Sequence, residues 1–273
     1  MNTENDDEAA GPRSVRGFGV ASTLSAAVIG ELAGATEAAG YRTFWTNDMP
    51  DGDGLGALRV AAEATTSIRL GVGLLPVDRV PANEIIARIA LVGLPIDRLV
   101  VGVGAGAQRG GLARVRAAVA ALRGATSAAV VVGALGPRMC RLAGELADGV
   151  LLDWPTIGSA SAAREHVRWG ARSAGRAAPP LAGYVFTALG AAGLQQLRSE
   201  AAHYGSVPAY AAHFGRAAHD AIDAAVHAET IRDLRQRLAA YEAVLDEVIV
   251  RAVVGEPRAA AYRRVLDAGA PDG

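Results

Sequence analysis

Short runs of valine, leucine and isoleucine alternate along this chain with longer stretches in which apolar residues recur at a helical spacing. Strands buried on both faces form nearly continuous apolar runs, whereas a helix that covers a sheet has one apolar face. The alternation therefore predicts repeated strand–helix units around a parallel sheet. The predicted strands are residues 17–21, 43–46, 68–75, 99–103, 128–132, 150–153, 181–188 and 247–252.

Helices are predicted between and after these strands. Eight strand–helix units can close as a barrel or lie open as a doubly wound sheet, and periodicity alone does not decide between the two. Residues 1–16 are polar and are predicted as a disordered leader before a single domain at 17–273. The predicted helices are residues 25–39, 57–66, 81–93, 112–123, 136–147, 159–174, 190–203, 207–219, 228–241 and 257–268.

Composition narrows the chemistry, because the chain contains no lysine and all its 27 basic residues are arginines. A Schiff-base enzyme needs a lysine amine, and a Walker-type phosphate loop needs its lysine, so both classes are excluded. The net charge of -1 gives no field for nucleic acid or an anionic membrane. The single cysteine, Cys140, and an acidic start without a secretory pattern lead us to expect a cytoplasmic protein.

A glycine turn after the fifth predicted strand is a candidate phosphate site. The sequence VVVGALGPRM at 130–139 carries an apolar strand directly into a helix that begins near Gly136 and Pro137. Free N–H groups and the positive end of the helix dipole bind anions at such a place. An ordinary short strand–helix turn is the alternative.

A second glycine run, GVGAG at 102–106, ends the fourth predicted strand. It lacks the spacing and the later acidic residue of a dinucleotide motif, so a Rossmann interpretation is weak. A tight turn and a ligand cradle remain equal alternatives for this run. The carboxyl end of a barrel strand is where barrel enzymes place their active sites.

Polar groups also follow the second predicted strand, where Asn47 and Asp48 stand. Asp48 could orient a cofactor ring or transfer a proton, or both residues could cap a turn. A calcium loop is excluded because position 59, where an EF-hand needs glutamate, is Arg59. No histidine has metal-ligand spacing, and His213, with Tyr210 one turn earlier, either faces a pocket or is a partly exposed helical residue.

Together these pieces resemble the luciferase-like monooxygenase superfamily of flavin- and deazaflavin-dependent enzymes. The resemblance covers nearly all of the predicted domain and is most specific at LAGELADGV, residues 142–150. It implies a (β/α)8 TIM barrel and a non-proline cis peptide at Gly73–Leu74, which would form a bulge against the cofactor ring. The matching segments are residues 41–48, 66–73, 97–106 and 133–152.

The resemblance also implies the cofactor and its binding residues. The cofactor would be a deazaflavin of the coenzyme F420 type or FMN, and Asp48 and Asn47 would face its ring during catalysis on a small-molecule substrate. The backbone at Ala134, Leu135 and Gly136 would hold its phosphate. Further cofactor contacts would come from Gly73, Leu74, Gly104, Gly106 and Arg138.

Three departures from the family pattern leave a second interpretation open. Many deazaflavin members carry histidine where this chain has Met49, and glutamate where it has Ala107 and Gln108. A non-catalytic flavin-binding paralogue or subunit is therefore the alternative to an oxidoreductase, and a hydrolytic metal barrel is disfavoured for want of a ligand set. The third departure is a shortened insertion at 123–128, from which we expect an open barrel mouth.

The apolar stretch 81–93 predicts a homodimer.

Overall fold

The computed structural model describes residues 14–271, and its core is a closed barrel of parallel strands. Eight strands pair in the order β1–β2–β3–β4–β5–β6–β7–β9, and β9 pairs with β1 to close the barrel. The predicted (β/α)8 barrel is confirmed. The strands are β1 (Val15–Val20), β2 (Thr43–Thr46), β3 (Arg69–Pro76), β4 (Leu99–Gly104), β5 (Ala129–Gly133), β6 (Gly149–Asp153), β7 (Leu181–Leu189), β8 (Val226–Ala228) and β9 (Glu247–Ala252).

The helices follow the predicted positions to within a few residues, because caps and glycines mark their ends. Pro137 stands at the first position of α5, and the left-handed Gly93 ends α3. The helices are α1 (Ala26–Ala38), α2 (Gly54–Glu63), α3 (Ala82–Val92), α4 (Gly111–Ala125), α5 (Pro137–Leu146), α6 (Ile157–Ser173), α7 (Gly190–Ser206), α8 (Pro208–Ala217), α9 (Ile231–Glu242) and α10 (Ala259–Ala268).

The segment between α8 and α9 differs from the prediction. A short 3-10 helix at Ala221–Ala224 leads into β8, which pairs with the part of β7 that extends past the barrel. Helix α9 then starts at Ile231, with the Thr230 side chain accepting a hydrogen bond at its N-terminus, rather than at residue 228. A strand of three residues is too short to produce a hydrophobic period, which is why the pattern missed it.

The start of the barrel also differs from the prediction. Residues 1–13 of the predicted leader lie outside the described residues, but β1 begins at Val15, two residues before the predicted strand. Arg16 is 5% exposed, and its guanidinium donates to Glu242 Oε1 at 2.6 Å and to the Gly269 carbonyl at 3.0 Å. Its partners come from the far end of the chain. The polar sequence around Arg16 predicted a leader, whereas contacts made only in the folded chain bury this residue.

Side chains alternate between the barrel interior and the layer under the helices, as the twofold period of a strand requires. Trp45, Leu151, Tyr184 and Ile249 meet inside the barrel, whereas neighbours such as Phe44 join the larger core under the helices. The interior therefore has an amino-terminal end, a packed middle and a carboxyl-terminal mouth. This layering decides which residues can reach a ligand at the mouth.

A carboxyl group lies at the amino-terminal end of the interior. Glu247 Oε1 accepts hydrogen bonds from the Thr43 hydroxyl and from Trp45 Nε1, the latter at 2.9 Å. Burial raises the pKa of Glu247, while these two hydrogen bonds and the charges of Arg69 and Arg42 oppose the shift. These two hydrogen bonds join Glu247 of β9 to Thr43 and Trp45 of β2.

Candidate active site

The bulge expected in the third strand is present at the barrel mouth. The Gly73–Leu74 peptide is cis, as predicted, and the pairing of β3 with β4 shifts register between Val72 and Leu75. The Tyr184 hydroxyl donates to the Gly73 carbonyl at 3.3 Å. Tyr184 therefore binds the bulge from inside the barrel.

Glycines on the next two strands make room for the Leu74 side chain. A Cβ atom at Gly104 would lie 3.1 Å from Leu74, one at Gly102 would lie 3.0 Å away, and one at Gly133 would overlap it. In this structure Gly104 thus accommodates a neighbouring side chain. Leu74 is itself only partly buried, so it also forms part of the mouth surface.

The loop after β4 is held by a carboxylate of its own protein. Gly106 has a φ of 68°, a region that favours glycine, and a side chain there would collide with Asp78. Asp78 Oδ2 accepts from the N–H groups of Ala107 at 2.8 Å and Gln108 at 3.1 Å. The conformation at Gly106 is therefore explained by a protein contact.

The two candidate catalytic residues after β2 are both engaged by neighbours. Asn47 Oδ1 accepts from the Ser22 N–H at 3.0 Å. Asp48 accepts from the Gly54 N–H at the start of α2 at 3.3 Å and pairs with Arg79 at 3.2 Å and Arg88 at 3.5 Å. Its side chain is 6% exposed. These contacts match the capping alternative, since they organise the loop between β2 and α2.

The candidate phosphate turn opens onto a cavity of about 390 Å³. The cavity is bordered by Ala134, Leu135 and Gly136, by the end of β6, by the start of α6 and by α8. The Ala134 N–H donates to the Leu151 carbonyl at 3.0 Å, so it belongs to the sheet. Within residues 14–271 the N–H groups of Leu135 and Gly136 have no backbone acceptor. Arg138 lies exposed on the first turn of α5.

Helix α8 covers this side of the mouth, contrary to the expected open mouth. The chain does pass directly from α4 to β5, but α8 brings Arg216 and His213 over the turn. Arg216 Nη2 donates to the Leu135 carbonyl at 3.4 Å. A Cβ atom on Gly136 would lie 3.3 Å from the same nitrogen, so the bare face of this glycine is directed at a guanidinium. Burial lowers the pKa of His213, while a hydrogen bond with the Leu135 backbone acts in the opposite direction.

A carboxyl that the sequence analysis did not select lies at the end of β6. Asp153 Oδ2 accepts from the Tyr210 hydroxyl of α8 at 2.5 Å, and Asp153 borders the cavity. Its Oδ1 is buried and has no hydrogen-bond partner. Burial raises the pKa of Asp153 to about 6, while the Tyr210 hydrogen bond, the Arg251 charge and the Trp154 N–H act in the opposite direction.

The signal for Asp153 was present in the sequence. The residue ends the sixth strand, and the alternation through Leu151 places it on the inward face. Of the two alternatives for His213, the structure supports the one that faces a pocket, since His213 borders the cavity, while Tyr210 contacts Asp153. What could not be foreseen is that α8 folds back onto the end of β6, because this contact spans 57 residues.

Aromatic rings pack against one another next to Asp153. Trp154 has a φ of 51°, which turns the chain sharply, and its ring stacks on Phe186 with centroids 3.8 Å apart. The ring centroid of Tyr204 lies 5.3 Å from that of Trp154 and 4.8 Å from that of Tyr210. Arg251 lies against Phe186. We call Trp154, Phe186, Tyr204, Tyr210 and Phe214 the aromatic cluster.

Residues 14–271 contain neither a metal-ligand cluster nor a helix suited to span a membrane. No group of three or more histidine, cysteine, aspartate or glutamate side chains is arranged to hold a metal ion there. None of the helices in that range combines the length and the apolar character that a membrane span requires. The candidate site consists of the turn at Leu135 and Gly136, the guanidinium of Arg216 and the carboxyl of Asp153.

Comparison with known proteins gives a match to one family. The profile of the luciferase-like monooxygenase family matches residues 110–267, which include β5, α5, β6 and α8. No match to the chain is found among the curated proteins.

Several solved structures share the fold at low sequence identity. The coenzyme F420-dependent tetrahydromethanopterin reductase from Methanopyrus kandleri has a TM-score of 0.74 at 16% identity, covering 94% of this chain and 97% of that chain. An F420-dependent secondary alcohol dehydrogenase gives 0.75 at 14%, covering 94% and 99%. The oxygenating constituent of 3,6-diketocamphane monooxygenase from Pseudomonas putida, in complex with FMN, gives 0.66 at 12%, covering 94% and 97%.

Proposed function

Because the chain belongs to the luciferase-like monooxygenase family, we propose that it is an oxidoreductase that uses a flavin or deazaflavin at the barrel mouth. Leu135, Gly136 and Arg216 at the N-terminus of α5 would hold the cofactor phosphate, and the Gly73–Leu74 bulge would face its ring. The observation that carries the proposal is the cavity at this helix N-terminus, with the bare face of Gly136 directed at Arg216. Both FMN and a deazaflavin of the F420 type carry a phosphate that this cradle can take.

The residues present fit a phosphate-bearing group. Two N–H groups, at Leu135 and Gly136, are left without backbone acceptors where the positive end of the α5 dipole adds to them. The guanidinium of Arg216 faces the side of Gly136 where a side chain would stand, and it adds a full positive charge there. Small apolar residues, among them Ala134 and Ala163, line the cavity and leave space for an extended ligand.

When bound, such a cofactor supplies hydride transfer or oxygen activation. The chain supplies the orientation: Leu135, Gly136 and Arg216 hold the phosphate, and Leu74 offers an apolar surface on the bulge. Asp48 and Asn47 shape the neighbouring loop through the hydrogen bonds that they already make. We keep Gly104, Gly106 and Arg138 as proposed cofactor contacts of lesser importance, since protein contacts or exposure account for each of them.

Replacing Gly136 tests the proposal directly. Gly136→Asp adds bulk and a negative charge beside Arg216, where an anion would sit. We expect the affinity for FMN or deazaflavin in a fluorescence titration to fall at least about 100-fold, which corresponds to about 3 kcal/mol. Gly136→Ala adds only the methyl group, to which the flexible end of Arg216 can adjust, so we expect a much smaller loss.

Gly124→Asp is the matched control, because Gly124 is exposed on α4 and a Cβ atom there meets nothing within 4 Å. This variant should bind cofactor as the unchanged protein does. Equal affinity in the Gly136→Asp variant would show that the phosphate lies elsewhere. Failure of the unchanged protein to bind either cofactor would overturn the proposed function.

A cofactor-binding paralogue without turnover is the second candidate. The observation that favours it is the engagement of Asp48 by Gly54, Arg79 and Arg88, which together occupy both oxygens of this carboxylate. Tight cofactor binding without oxidation of the reduced cofactor by any organic acceptor or oxygen would favour the paralogue. Turnover would favour the enzyme.

We further propose that two copies pair through α3. Ile85 and Ile89 pack into the core of their own chain, so they cannot form the interface, but Leu91 is 86% exposed. Leu91→Asp should give a monomer in light scattering, whereas Ile231→Asp, at a half-exposed isoleucine on α9, should not. A monomer already present in the unchanged protein at micromolar concentration would contradict this pairing. The cytoplasmic location stays a prediction.

A further inference from the structure

The cavity at the N-terminus of α5 is larger than the phosphate group assigned to it. A phosphate has the bulk of a few water molecules, each of which takes up roughly 30 Å³ in the liquid. The cavity measures about 390 Å³, so most of its volume is left over when a phosphate lies at Leu135 and Gly136. The remaining volume has room for a further part of the same ligand.

The remaining volume does not belong to the cofactor ring. The ring is assigned to the bulge, but neither Gly73 nor Leu74 borders the cavity. Leu74 instead reaches the end of β5, where a Cβ atom on Gly133 would overlap it. The turn that follows Gly133 therefore lies between the bulge and the cavity. A ligand with its ring at the bulge and its phosphate at this turn enters the cavity only with the groups beyond its phosphate.

Beyond the turn, the cavity follows the groove between α5 and α6. Pro137 and Cys140 border it from α5. Farther along, the two helices touch at Gly144 and Gly170, where a Cβ atom would collide with the backbone of the other helix. The groove is therefore open at the phosphate turn and closed at the helix crossing. The residues of α6 that border it are Gly158, Ser159, Ala162, Ala163 and His166.

Two arginines of α5 follow the residues that border the groove, and neither has an acidic partner within residues 14–271. Arg138 follows Pro137 and is exposed. Arg141 follows Cys140, and its guanidinium lies over the exposed Trp169 ring of α6, 4.6 Å from the ring centroid. The Nε atom of Arg141 is buried without a hydrogen-bond partner. Both guanidinium groups thus have donors to spare for an anion.

The acidic residues of these two helices do not neutralise the two arginines. Glu145 of α5 pairs with Arg116 of α4 at 2.5 Å. Glu165 of α6 pairs with Arg168 of its own helix at 2.9 Å. The surface beside the groove therefore keeps an excess of positive charge.

The lining of the cavity is also poor in negative charge. Asp153 is its one acidic residue, and there Oδ2 accepts from Tyr210 while Oδ1 is buried. Arg216 brings a full positive charge at the turn. Tyrosine, tryptophan and phenylalanine side chains are missing from the lining, so a nucleotide base finds no ring to stack on there. Carboxylates on a slender chain fit this cavity better than an aromatic base.

We propose that the groove between α5 and α6 binds an acidic tail beyond the cofactor phosphate, so that the cofactor is a deazaflavin of the F420 type rather than FMN. This inference rests on the proposed function and names the cofactor of the same site. A deazaflavin of the F420 type continues from its phosphate through lactate into glutamate residues, whereas FMN ends in a phosphate monoester. Arg138 and Arg141 donate charge-assisted hydrogen bonds to the glutamate carboxylates. The small side chains of α6 leave room for the methylene groups between them.

Fluorescence titrations of the full chain with matched ligands test the inference. The ligands are the deazaflavin with its glutamate residues, the same deazaflavin cut back to lactate, FMN, and FAD, which carries an adenosine beyond its phosphates. The form with glutamates should bind about tenfold more tightly than the form cut back to lactate, because its carboxylates gain charge-assisted hydrogen bonds. This ratio should shrink as salt rises from about 0.05 M to about 0.5 M, since exposed charges are screened.

Substitutions of the arginines locate the tail. In Arg141→Gln the ratio should fall to about twofold, while the affinities for FMN and for the deazaflavin cut back to lactate stay unchanged. Arg141→Lys keeps the positive charge and should keep most of the ratio. Arg237→Gln, at an exposed arginine of α9, which does not border the cavity, is the matched control and should keep all of it. Should Arg141→Gln fail to fold, the exposed Arg138→Gln carries the test, with a smaller fall in the ratio.

Three results would overturn the inference and leave the proposed function standing. They are equal affinity for the two deazaflavin forms, tighter binding of FMN or FAD than of the deazaflavin with glutamates, and a preference for the glutamate tail that survives both Arg138→Gln and Arg141→Gln. Failure of the unchanged protein to bind all four ligands would instead overturn the proposed function. The two failures are therefore distinguishable.

Discussion

Two carboxyl groups lie inside the same barrel, at opposite ends, and they are treated differently. Glu247, at the amino-terminal end, has hydrogen bonds from Thr43 and Trp45 and two arginines nearby. Asp153, at the mouth, has one hydrogen bond, from Tyr210, and one buried oxygen without a partner. Burial raises the pKa of both groups.

The two carboxyls differ in where their partners come from. The partners of Glu247 lie on the barrel strand β2. The one side-chain partner of Asp153 comes from α8, which is outside the barrel. Active sites of barrel enzymes lie at the mouth, whereas the opposite end contributes to stability. Three substitutions test this contrast.

The largest effect is expected at the amino-terminal end. Glu247→Ala removes the acceptor shared by Thr43 and Trp45, and with it the carboxyl whose ionised form the charges of Arg69 and Arg42 favour. We expect the free energy of unfolding to fall by about 3 kcal/mol in urea denaturation at pH 7. A loss below about 1 kcal/mol would mean that Glu247 is not the structural member of the pair.

An effect of opposite sign is expected for Asp153→Asn. The folded-state pKa of Asp153 is raised to about 6, so the folded protein binds a proton more tightly than the unfolded chain. The unchanged protein should therefore lose stability relative to the variant as pH rises from about 4 to about 6, by about 3 kcal/mol in all. Urea denaturation at pH 4, 5, 6 and 7 measures this. A constant difference across that range would contradict the raised pKa.

The smallest effect is expected at a third carboxyl, that of Glu37, which lies outside the barrel. Its pKa is lowered rather than raised. Glu37 on α1 accepts from the N–H groups of Thr66, Ser67 and Ile68, and although burial acts to raise its pKa, these hydrogen bonds prevail and lower it to about 2. After allowance for solvent screening, Glu37→Gln should cost about 1 kcal/mol at pH 7. The stability of the unchanged protein should fall toward that of the variant as pH drops from about 4.5 to about 2. Urea denaturation at pH 3 and 7 should show the narrowing difference.

The strands and helices could be predicted because their signals are local, whereas their closure into a barrel came from the resemblance. Apolar runs mark strands such as β5, and Pro137 and Gly93 mark the ends of helices. The Gly73–Leu74 cis peptide came from the resemblance rather than from the pattern. By contrast β8 is too short for a periodic signal, and Arg16 is buried by partners more than 220 residues away, so neither could be read from neighbouring residues.

The candidate site divides in the same way. The turn at Leu135 and Gly136 was recognisable because a strand, a glycine and a helix start follow one another directly along the chain. Asp48 was equally visible, but only its contacts with Gly54, Arg79 and Arg88 reveal that it stabilises a loop. Chemistry-bearing residues can be found in a sequence, whereas their partners are set by packing.

Residue types that lie close together along the chain are enough to predict the succession of strands and helices, to exclude lysine chemistry and to mark a candidate phosphate turn. The closure of the barrel by β9 against β1 depends on the tertiary structure, and so does the position of α8, which brings Arg216 and Tyr210 over the mouth. The same holds for the Asp153 oxygen that has no hydrogen-bond partner and for the donors that Glu247 has from β2. The physical reason is that hydrogen bonds and burial depend on distances in space, which residues far apart in sequence establish only when the chain is folded.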